Sequence, residues 1–364
     1  GLAALNLALP VYSVINGSGL MLGIGGATKY AIMKNQGNKK YNESFMNTVF
    51  MAIVIGIIFF LTGIIFSGNI ATLLGANKQV YHMTSIYLKV LLMFGPAFVL
   101  NNVMNAFVRN DGNPKLSMIA MLVGSFGNII LDYLLVIKFS MGMFGAVLAT
   151  GFSPIMGLMV LSGHIVSENS NIKFKVAKIR ASFIKSIIML GIPSFVTEMS
   201  SGIVIFVFNI IILGLQGNVG VAAYGVIANL ALVVISIYTG VAQGSQPLFS
   251  AAYGKNDKKM QKQLFKYAIT AVTLISIVIY AVILLFANPI TSIFNGEGNM
   301  KLQAMAVKGM YLYFTSILFI GMNIVMATYF AAREKVIPSY IISFGRGFVV
   351  IIPMAFIMSF IWKM

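Results

Sequence analysis

The stretch VFMAIVIGIIFFLTGIIF, residues 49–66, is a run of 18 residues without a charged side chain. A helix of this length spans about 27 Å, close to the hydrocarbon thickness of a bilayer, roughly 30 Å. A membrane β-strand needs only about ten residues of alternating polarity. The stretch therefore predicts a membrane-spanning helix.

Similar apolar runs recur along nearly the whole chain. Hydrophobic residues make up 59% of the 364 positions and charged residues only 9%, whereas a soluble domain carries about 25% charged residues. This composition excludes a soluble globular protein, and repeated runs exclude a signal peptide as their source. We therefore predict an all-α, polytopic membrane protein. The ten predicted spans are 4–32, 45–66, 86–108, 116–137, 144–166, 186–213, 221–251, 265–287, 309–331 and 339–360.

The cations of the chain are distributed unevenly between alternate loops. The net charge of +17 could suggest a nucleic-acid partner, but the cations fall in short loops rather than on one face, so we expect no nucleic-acid binding. One set of alternate loops holds Lys29, Lys34, Lys39, Lys40, Arg109, Lys115, Lys173, Lys175, Lys178, Arg180, Lys185, Lys255, Lys258, Lys259, Lys262, Lys266, Arg333 and Lys335. The opposite loops and flanks hold only Lys78, Lys89, Lys138, Lys301, Lys308 and Lys363. The positive-inside rule places the first set in the cytoplasm and residue 1 outside.

The two halves of the chain resemble each other. Asn-Leu-Ala-Leu occurs at 6–9 and again at 229–232, and each of these helices is followed by a basic loop. An arginine followed five residues later by a proline occurs at 109–114 and at 333–338. The offsets, 223 and 224, agree closely, which favours duplication. Two halves of equal orientation form parallel repeats about an axis along the membrane normal, an arrangement that in transporters places the substrate path between the halves.

The repeat predicts the domain organisation. We expect an N-terminal helical lobe at 1–166, a basic cytoplasmic linker at 167–185 that is helical on the membrane surface, and a C-terminal helical lobe at 186–364. A complete pair would contain two six-helix repeats. About ten of the twelve helices are present, so we expect the first helix of one repeat and the last helix of the other to lie outside this chain.

Asp132 and Glu198 are carboxylates inside predicted spans, where a charge costs about 2.5–3.5 kcal/mol. Asn128 lies one helical turn before Asp132, so its amide and the carboxylate can converge on one cation or proton. The alternative is a protonated Asp132 that makes a helix-packing hydrogen bond. Glu198 follows the helix-loosening Pro193 and is either a second proton site, a contact for a cationic substrate or the partner of Arg346.

Three other features favour structural roles. Arg346, flanked by Gly345 and Gly347, is expected to hold helix ends or backbone carbonyls together rather than to bind substrate. The run Gly23-Ile24-Gly25-Gly26 lies inside an apolar helix and predicts close helix packing rather than a phosphate loop. His82 and His164 are isolated in the sequence, without a second ligand at metal-binding spacing.

Several motifs in combination resemble the multidrug and toxic compound extrusion (MATE) family of antiporters. These motifs are Arg109-Asn110-Asp111-Gly112-Asn113-Pro114, Asn128 with Asp132, Gly191-Ile192-Pro193, Ala223-Tyr224-Gly225 leading to Ala242-Gln243-Gly244, and the span from Phe344 through Arg346 to Pro353. The resemblance covers essentially the whole chain as helices two to eleven of twelve.

The resemblance implies a coupling site in the first half of the chain. The matching residues are Asp132 and Asn128 on the family's fifth helix, Thr150 on the sixth and Asn105 on the fourth. Glu198 resembles the seventh-helix glutamate of some branches, and with Arg346 it forms the candidate pair of the second lobe.

The resemblance also implies a mechanism, in which Na⁺ or H⁺ enters while a cationic, amphipathic compound leaves. Any metal would be Na⁺ at Asp132, with no organic cofactor. We expect a monomeric, multi-pass protein of the bacterial plasma membrane whose partners are the lipid bilayer and small organic cations.

Two other functions compete with antiport. A flippase for lipid-linked saccharides, from the same broad superfamily, would need more cavity cations than Arg346 to hold a pyrophosphate. A membrane-embedded enzyme would need clustered His, Asp, Glu or Ser residues near one interface, and the sequence has no such cluster, so we expect no catalytic residues.

Overall fold

The computed structural model describes residues 2–174, 177–296 and 298–362, without the side chains of Leu2, Ala3, Asn6 and Trp362. Lys175 and Lys363, and the side chain of Asn6, therefore lie outside the described residues. Within these ranges the chain is almost entirely helical and contains no strand. The predicted all-α membrane class is confirmed.

Internal contacts divide the chain into a first unit, Gly1–Met199, and a second unit, Ser200–Met364. The division falls inside one long helix, so the predicted domain boundary at 167–185 stays a prediction. The first unit contains α1 (Leu2–Asn35), α2 (Tyr41–Leu73), α3 (Tyr81–Met93), α4 (Gly95–Asn110), α5 (Pro114–Asp132), a π-helical turn (Tyr133–Lys138), α6 (Gly142–Val166) and the start of α7 (Ala181–Gly254).

The core of the first unit lies where α1 and α4 pack against each other and against α2. The fully buried rings of Tyr30, Phe45 and Phe107 meet there edge to face. In contrast, Ile58, Leu61 and other large apolar side chains of α2 are about half exposed. Such a face would be unfavourable in water and is suited to lipid contact.

The second unit contains the rest of α7 and the helices that follow it. These are α8 (Lys258–Phe294), α9 (Met300–Tyr313), a 3₁₀ turn (Phe314–Ser316), α10 (Ile317–Ala331), α11 (Val336–Phe344), a second π-helical turn (Gly345–Val349) and α12 (Ile351–Trp362). The buried rings of Tyr238, Phe249 and Phe314 belong to its core. The Tyr238 hydroxyl is 2.6 Å from the Ser276 hydroxyl, which satisfies the polar tip of that ring.

The helices coincide with the ten predicted spans once two irregular cases are resolved. In the described residues, eight helices are long and apolar enough to cross a bilayer, and the bent pair α3–α4 makes a ninth, with a 44° bend where one straight span was predicted. Helix α7 has 74 residues, which as one straight helix would be about 110 Å long, far more than a bilayer requires. It is interrupted at Gly217, whose φ of 65° is not helical. It therefore accounts for the two predicted spans 186–213 and 221–251.

The linker differs from its predicted helical conformation. Residues 171–174 and 177–180 are non-helical, and α7 begins only at Ala181. The backbone N–H of Lys173 donates to Asn42 Oδ1 at 3.3 Å, and that of Arg180 to Asn47 Oδ1 at 2.9 Å. Asn47 Nδ2 also donates to the Lys178 carbonyl at 3.2 Å. The linker is non-helical because side chains of α2 satisfy backbone groups that a helix would otherwise pair.

Candidate functional site

Asp132 is the last residue of α5 and lies directly before the π-helical turn Tyr133–Lys138. Its side chain is half-buried. Pro114 lies at the predicted cytoplasmic end of α5. The 18 residues from Pro114 to Asp132 correspond to a helical rise of about 27 Å. Asp132 is therefore nearer the outer end of the span than its centre. Single π-helical turns often occur at functional sites, because the extra residue redirects side chains.

Two hydroxyl groups lie near Asp132. The Asp132 carboxylate and the Thr150 hydroxyl both influence the phenol of Tyr87 on α3 electrostatically. Thr150 Oγ1 donates to the Ala146 carbonyl at 2.9 Å. Tyr87 is therefore a polar group in the neighbourhood of both predicted residues. Sequence reasoning missed Tyr87, although a tyrosine hydroxyl inside a span needs a polar partner.

The two predicted asparagines of this site are placed differently. Asn128 lies one turn before Asp132 on the regular helix α5, and its Nδ2 is buried without a hydrogen-bond partner among the described residues. Asn105 instead accepts a hydrogen bond from Ser117 at 3.0 Å. Since Ser117 precedes Asn128 by 11 residues, Asn105 is separated from Asn128 by about 16 Å along α5. Asn105 therefore lies apart from Asn128 in this structure, with its amide paired between α4 and α5, and its assignment to the Asp132 site stays a prediction.

Glu198 lies in the first unit and is bonded to α1. Asn16 Nδ2 donates to Glu198 Oε1 at 2.9 Å, and Asn102 Nδ2 of α4 donates to Asn16 Oδ1 at 2.8 Å. Glu198 lies on the predicted second-lobe helix, but its hydrogen-bond partner and its neighbours on α1 belong to the first unit, so its assignment to the second lobe stays a prediction. The two amides orient one carboxylate oxygen, and all three side chains are half-buried.

Glycines explain why Glu198 can reach α1. A Cβ atom on Gly17 would lie 3.1 Å from the Phe195 ring and 3.5 Å from Glu198 Cβ. A Cβ on Gly25 would collide with the Ile187 carbonyl, and a Cβ on Gly191 with the Met21 carbonyl. The backbones of α1 and α7 therefore touch, as the glycine-rich run in α1 predicts.

Tyr12 is a further polar residue near the carboxylates of the first unit. Glu198 and Tyr87 both influence its phenol electrostatically, and its ring packs edge to face on Phe98 with centroids 5.6 Å apart. Tyr12 and Tyr87 therefore add two phenol hydroxyls to the polar groups of this region. Carboxylate, hydroxyl and amide oxygens are groups that hold a proton or a small hard cation.

Arg346 lies in the second π-helical turn and lines a small cavity of the second unit, about 70 Å³ in volume. Its guanidinium interacts electrostatically with the Tyr313 hydroxyl, and Tyr313 in turn with Tyr224. The Tyr224 ring stacks on Phe208 with centroids 5.6 Å apart. Arg346 therefore faces a cavity, which the expectation of a purely structural role did not include.

Asp111, which the sequence analysis names only as part of the motif at 109–114, is fully buried at the predicted cytoplasmic end of the first unit. The Asp111 cluster comprises Asp111 and its four hydrogen-bond partners, Lys34 Nζ at 2.6 Å, Tyr30 Oη at 2.6 Å, His164 Nε2 at 2.9 Å and the Asn171 backbone N–H at 2.8 Å. Burial alone would raise the pKa of Asp111, but these hydrogen bonds outweigh it and hold the pKa below its usual range. His164 is thus not isolated as the sequence suggested, because the loop after α4 folds onto the end of α6.

The Asp111 cluster joins α1, α6, the loop after α4 and the linker. It is satisfied internally, so it has the properties of a structural ion-pair network rather than of an ion-binding site. Within the described residues no group of three His, Cys, Asp or Glu side chains could hold a metal ion.

Comparison with known protein families and with individual proteins gives matches in both halves of the chain. The MatE family model matches residues 1–134 and 193–357, which fall in the two halves of the chain. The multidrug export protein MepA of Staphylococcus saprophyticus is 28% identical over 363 residues, which are 98% of this chain and 79% of that protein. MepA of Staphylococcus aureus strain MRSA252 is similar with the same identity and coverage.

Solved structures share the fold. A MOP superfamily transporter from Pyrococcus furiosus superposes with a TM-score of 0.92 at 22% identity, covering 99% of this chain and 81% of that one. The outward-facing conformation of a multidrug resistance MATE family transporter of the MOP superfamily superposes with a TM-score of 0.89 at 23% identity, covering 98% and 80% of the two chains.

Proposed function

This chain belongs to the MatE family of multidrug and toxic compound extrusion transporters, and from that premise we propose that it is a secondary active antiporter. It exports cationic amphipathic compounds in exchange for Na⁺ or H⁺, across the plasma membrane of a bacterium. The relatives MepA are named multidrug export proteins of bacteria, which supports this substrate class and location. Members of the family are transporters, not enzymes.

The observation that carries the proposal is the pair of carboxylates in the first unit. Asp132 and Glu198 are both half-buried within helices that cross the membrane, and each of them influences the phenol of a tyrosine electrostatically. A carboxylate in apolar surroundings is unfavourable when charged, so it takes up a proton or binds a cation. We assign Asp132, with Tyr87, Thr150 and Asn128, to ion binding, and Glu198 to a second ion site.

Coupling follows from differential affinity. An ion shifts a conformational equilibrium only by as much as its affinities for the two states differ. A proton or Na⁺ bound between α3, α5 and α6 neutralises Asp132 and strengthens contacts among those helices. These contacts weaken when the ion leaves. The difference in ion affinity between the two conformations couples export to the ion gradient, and the gradient supplies the free energy.

The test uses the full-length protein reconstituted in liposomes, with ethidium as the cationic probe and either a pH gradient or a Na⁺ gradient. We expect gradient-driven ethidium accumulation, and a fall of about 5–150-fold in that rate for Asp132→Asn and for Glu198→Gln, the range of ordinary coupling free energies. Ethidium exchange without a gradient should be retained, because binding does not need the coupling ion.

Asp257→Asn is the matched control. It also removes one carboxylate, but Asp257 is the N-cap of α8, where its side chain accepts from the Met260 backbone N–H, and Asn caps a helix equally well. Its rate should equal the wild-type rate. Normal gradient-driven transport by Asp132→Asn would exclude Asp132 as the coupling residue, and ethidium exchange without any response to either gradient would exclude antiport.

A further inference from the structure

The small cavity of the second unit, on the side of α7 that faces α9 and the second π-helical turn, is lined by an unusual set of polar groups. Arg346, Tyr224, Tyr313, Ser200 and Ser201 all contribute to it. Each of these side chains can donate hydrogen bonds, and only the arginine is charged. The described lining contains no carboxylate. We propose that this cavity binds the acidic oxyanion group, a carboxylate or a phosphate, of a transported amphipathic molecule.

The charge of Arg346 decides the sign of the ligand group. Because the guanidinium is charged at every physiological pH, a cation placed beside it would be repelled at all times. An oxyanion would instead receive charge-assisted hydrogen bonds, which are stronger than neutral ones, from the planar guanidinium. The electrostatic contacts from Arg346 to Tyr313 and from Tyr313 to Tyr224 extend the donor set beyond one residue.

The local backbone positions Arg346 for this role. It lies in the π-helical turn Gly345–Val349 between α11 and α12, a type of turn that is frequent at functional sites. Gly345 and Gly347 carry no side chain beyond the backbone on either side of it. The turn thus presents one long cationic side chain at a point where the helix is irregular.

The size of the cavity limits what enters it. Its volume of about 70 Å³ is far below the range of about 300–1,000 Å³ for pockets that enclose a drug-sized molecule. It fits one functional group, and the remainder of the molecule must lie outside. The rest of the lining is apolar and includes Ile205, Leu232 and Ile320, so the atoms next to the acidic group should be hydrocarbon or aromatic.

This inference rests on the proposed export function and refines its substrate class. A simple organic cation offers no acceptor group to the guanidinium and hydroxyl groups that line this cavity. A molecule with an acidic group, such as a zwitterionic amphiphile, would use them. We therefore expect an acidic group on a ligand to increase the affinity of this protein for that ligand.

The experiment compares two dyes that differ in one group. Rhodamine 110 carries a free carboxylate, and rhodamine 123 is its methyl ester. Binding of each to the full-length protein in phosphatidylcholine nanodiscs is measured by fluorescence anisotropy. We expect the wild type to bind rhodamine 110 about tenfold more tightly, the effect of one hydrogen bond to a charged group, and Arg346→Gln to lose that preference. Arg346→Lys should keep part of it.

Two controls separate a specific contact from loss of structure. Arg333→Gln removes the same charge from the same unit, at a side chain that lies over the Tyr329 ring instead of in the cavity, and should keep the preference. Rhodamine 123, a cation without an acidic group, should bind Arg346→Gln at least as tightly as the wild type, since the substitution removes a repulsive charge and no ion pair. An equal loss for both dyes, or a wild type without preference for the carboxylate, would overturn the inference.

The source of the acidic group is resolved by a lipid arm. If it belongs to a lipid headgroup, phosphatidylglycerol added to the nanodiscs will compete with rhodamine 110 in the wild type but not in Arg346→Gln. If it belongs to an exported compound, rhodamine 110 affinity will not depend on phosphatidylglycerol. Gradient-driven export of rhodamine 123 by a protein without carboxylate preference would contradict this inference and leave the proposed antiport intact.

Discussion

Three buried or half-buried acidic residues of the first unit differ in how their surroundings satisfy them. Asp111 receives four hydrogen bonds, Glu198 receives one from Asn16, and Asp132 receives none from the described residues. A carboxylate whose lone pairs are all occupied has little capacity for another ligand. Asp111 is therefore suited to a structural role, whereas Asp132 and Glu198 retain the capacity to bind an ion.

The role of Asp111 can be tested by Asp111→Asn. The amide keeps the shape but loses the charge that Lys34 pairs with, and Lys34 is 28% exposed. We expect a loss of about 2–4 kcal/mol in the free energy of unfolding, below the full cost of breaking a buried ion pair. The measurement is the fraction of monodisperse protein that remains after heating. Glu168→Gln, an exposed acidic residue near the same face, should remain at the wild-type value.

The same cluster predicts a pH dependence. Because the folded protein holds the pKa of Asp111 below its unfolded value of about 3.9, the charged form is favoured by folding. The charged Asp111 carboxylate therefore contributes its full stabilisation at a pH above its unfolded pKa. This stabilisation is lost as the pH falls from the unfolded pKa through the folded pKa. Between pH 6 and pH 3, the wild type should lose more heat stability than Asp111→Asn. Parallel losses in the two proteins would show that Asp111 does not contribute.

At the scale of helices, contacts between backbones determine where the functional side chains lie. Gly17, Gly25 and Gly191 let α1 and α7 approach closely enough for Glu198 to reach Asn16. The sequence predicts this packing from the glycine run but not which helix is the partner. Hydrophobic periodicity does not predict the two π-helical turns, beside Asp132 and at Arg346, because each is a short segment inside a longer apolar run.

The packing of α1 on α7 gives a matched pair of substitutions. A Cβ on Gly191 would meet the Met21 carbonyl, whereas a Cβ on Gly214 of the same helix would have nothing within 4 Å. We expect Gly191→Ala to destabilise the protein by about 1–3 kcal/mol through overpacking. Gly214→Ala should be neutral or stabilise it by up to about 1 kcal/mol through helix propensity. Thermal denaturation followed by size-exclusion chromatography compares them, and equal stability of the two variants would contradict the close backbone contact.

At the scale of the whole molecule, the loop charges predict the orientation in the membrane. The chain contains no cysteine, so single cysteines can report it directly. Lys78→Cys and Lys301→Cys, both at exposed positions, should react with a membrane-impermeant maleimide in intact cells. Lys39→Cys and Lys259→Cys, also exposed, should react only after permeabilisation. Labelling in the reverse pattern would invert the predicted topology.

The sequence by itself determined the class of this protein, its spans and its family resemblance. Run length and composition suffice for these, because crossing a bilayer requires about 20 apolar residues and a helical backbone whatever the partners are. It also indicated Asp132 and Glu198 as candidate ion-binding residues, since a carboxylate in such an apolar run is rare.

Only the tertiary structure decided which side chains meet. It paired Glu198 with Asn16, paired Asn105 with Ser117 and joined Asp111 to His164. Such contacts depend on which helix faces touch and at what depth. In a uniformly apolar helix, hydrophobic periodicity carries little information about either, because lipid-facing and core-facing residues are equally apolar.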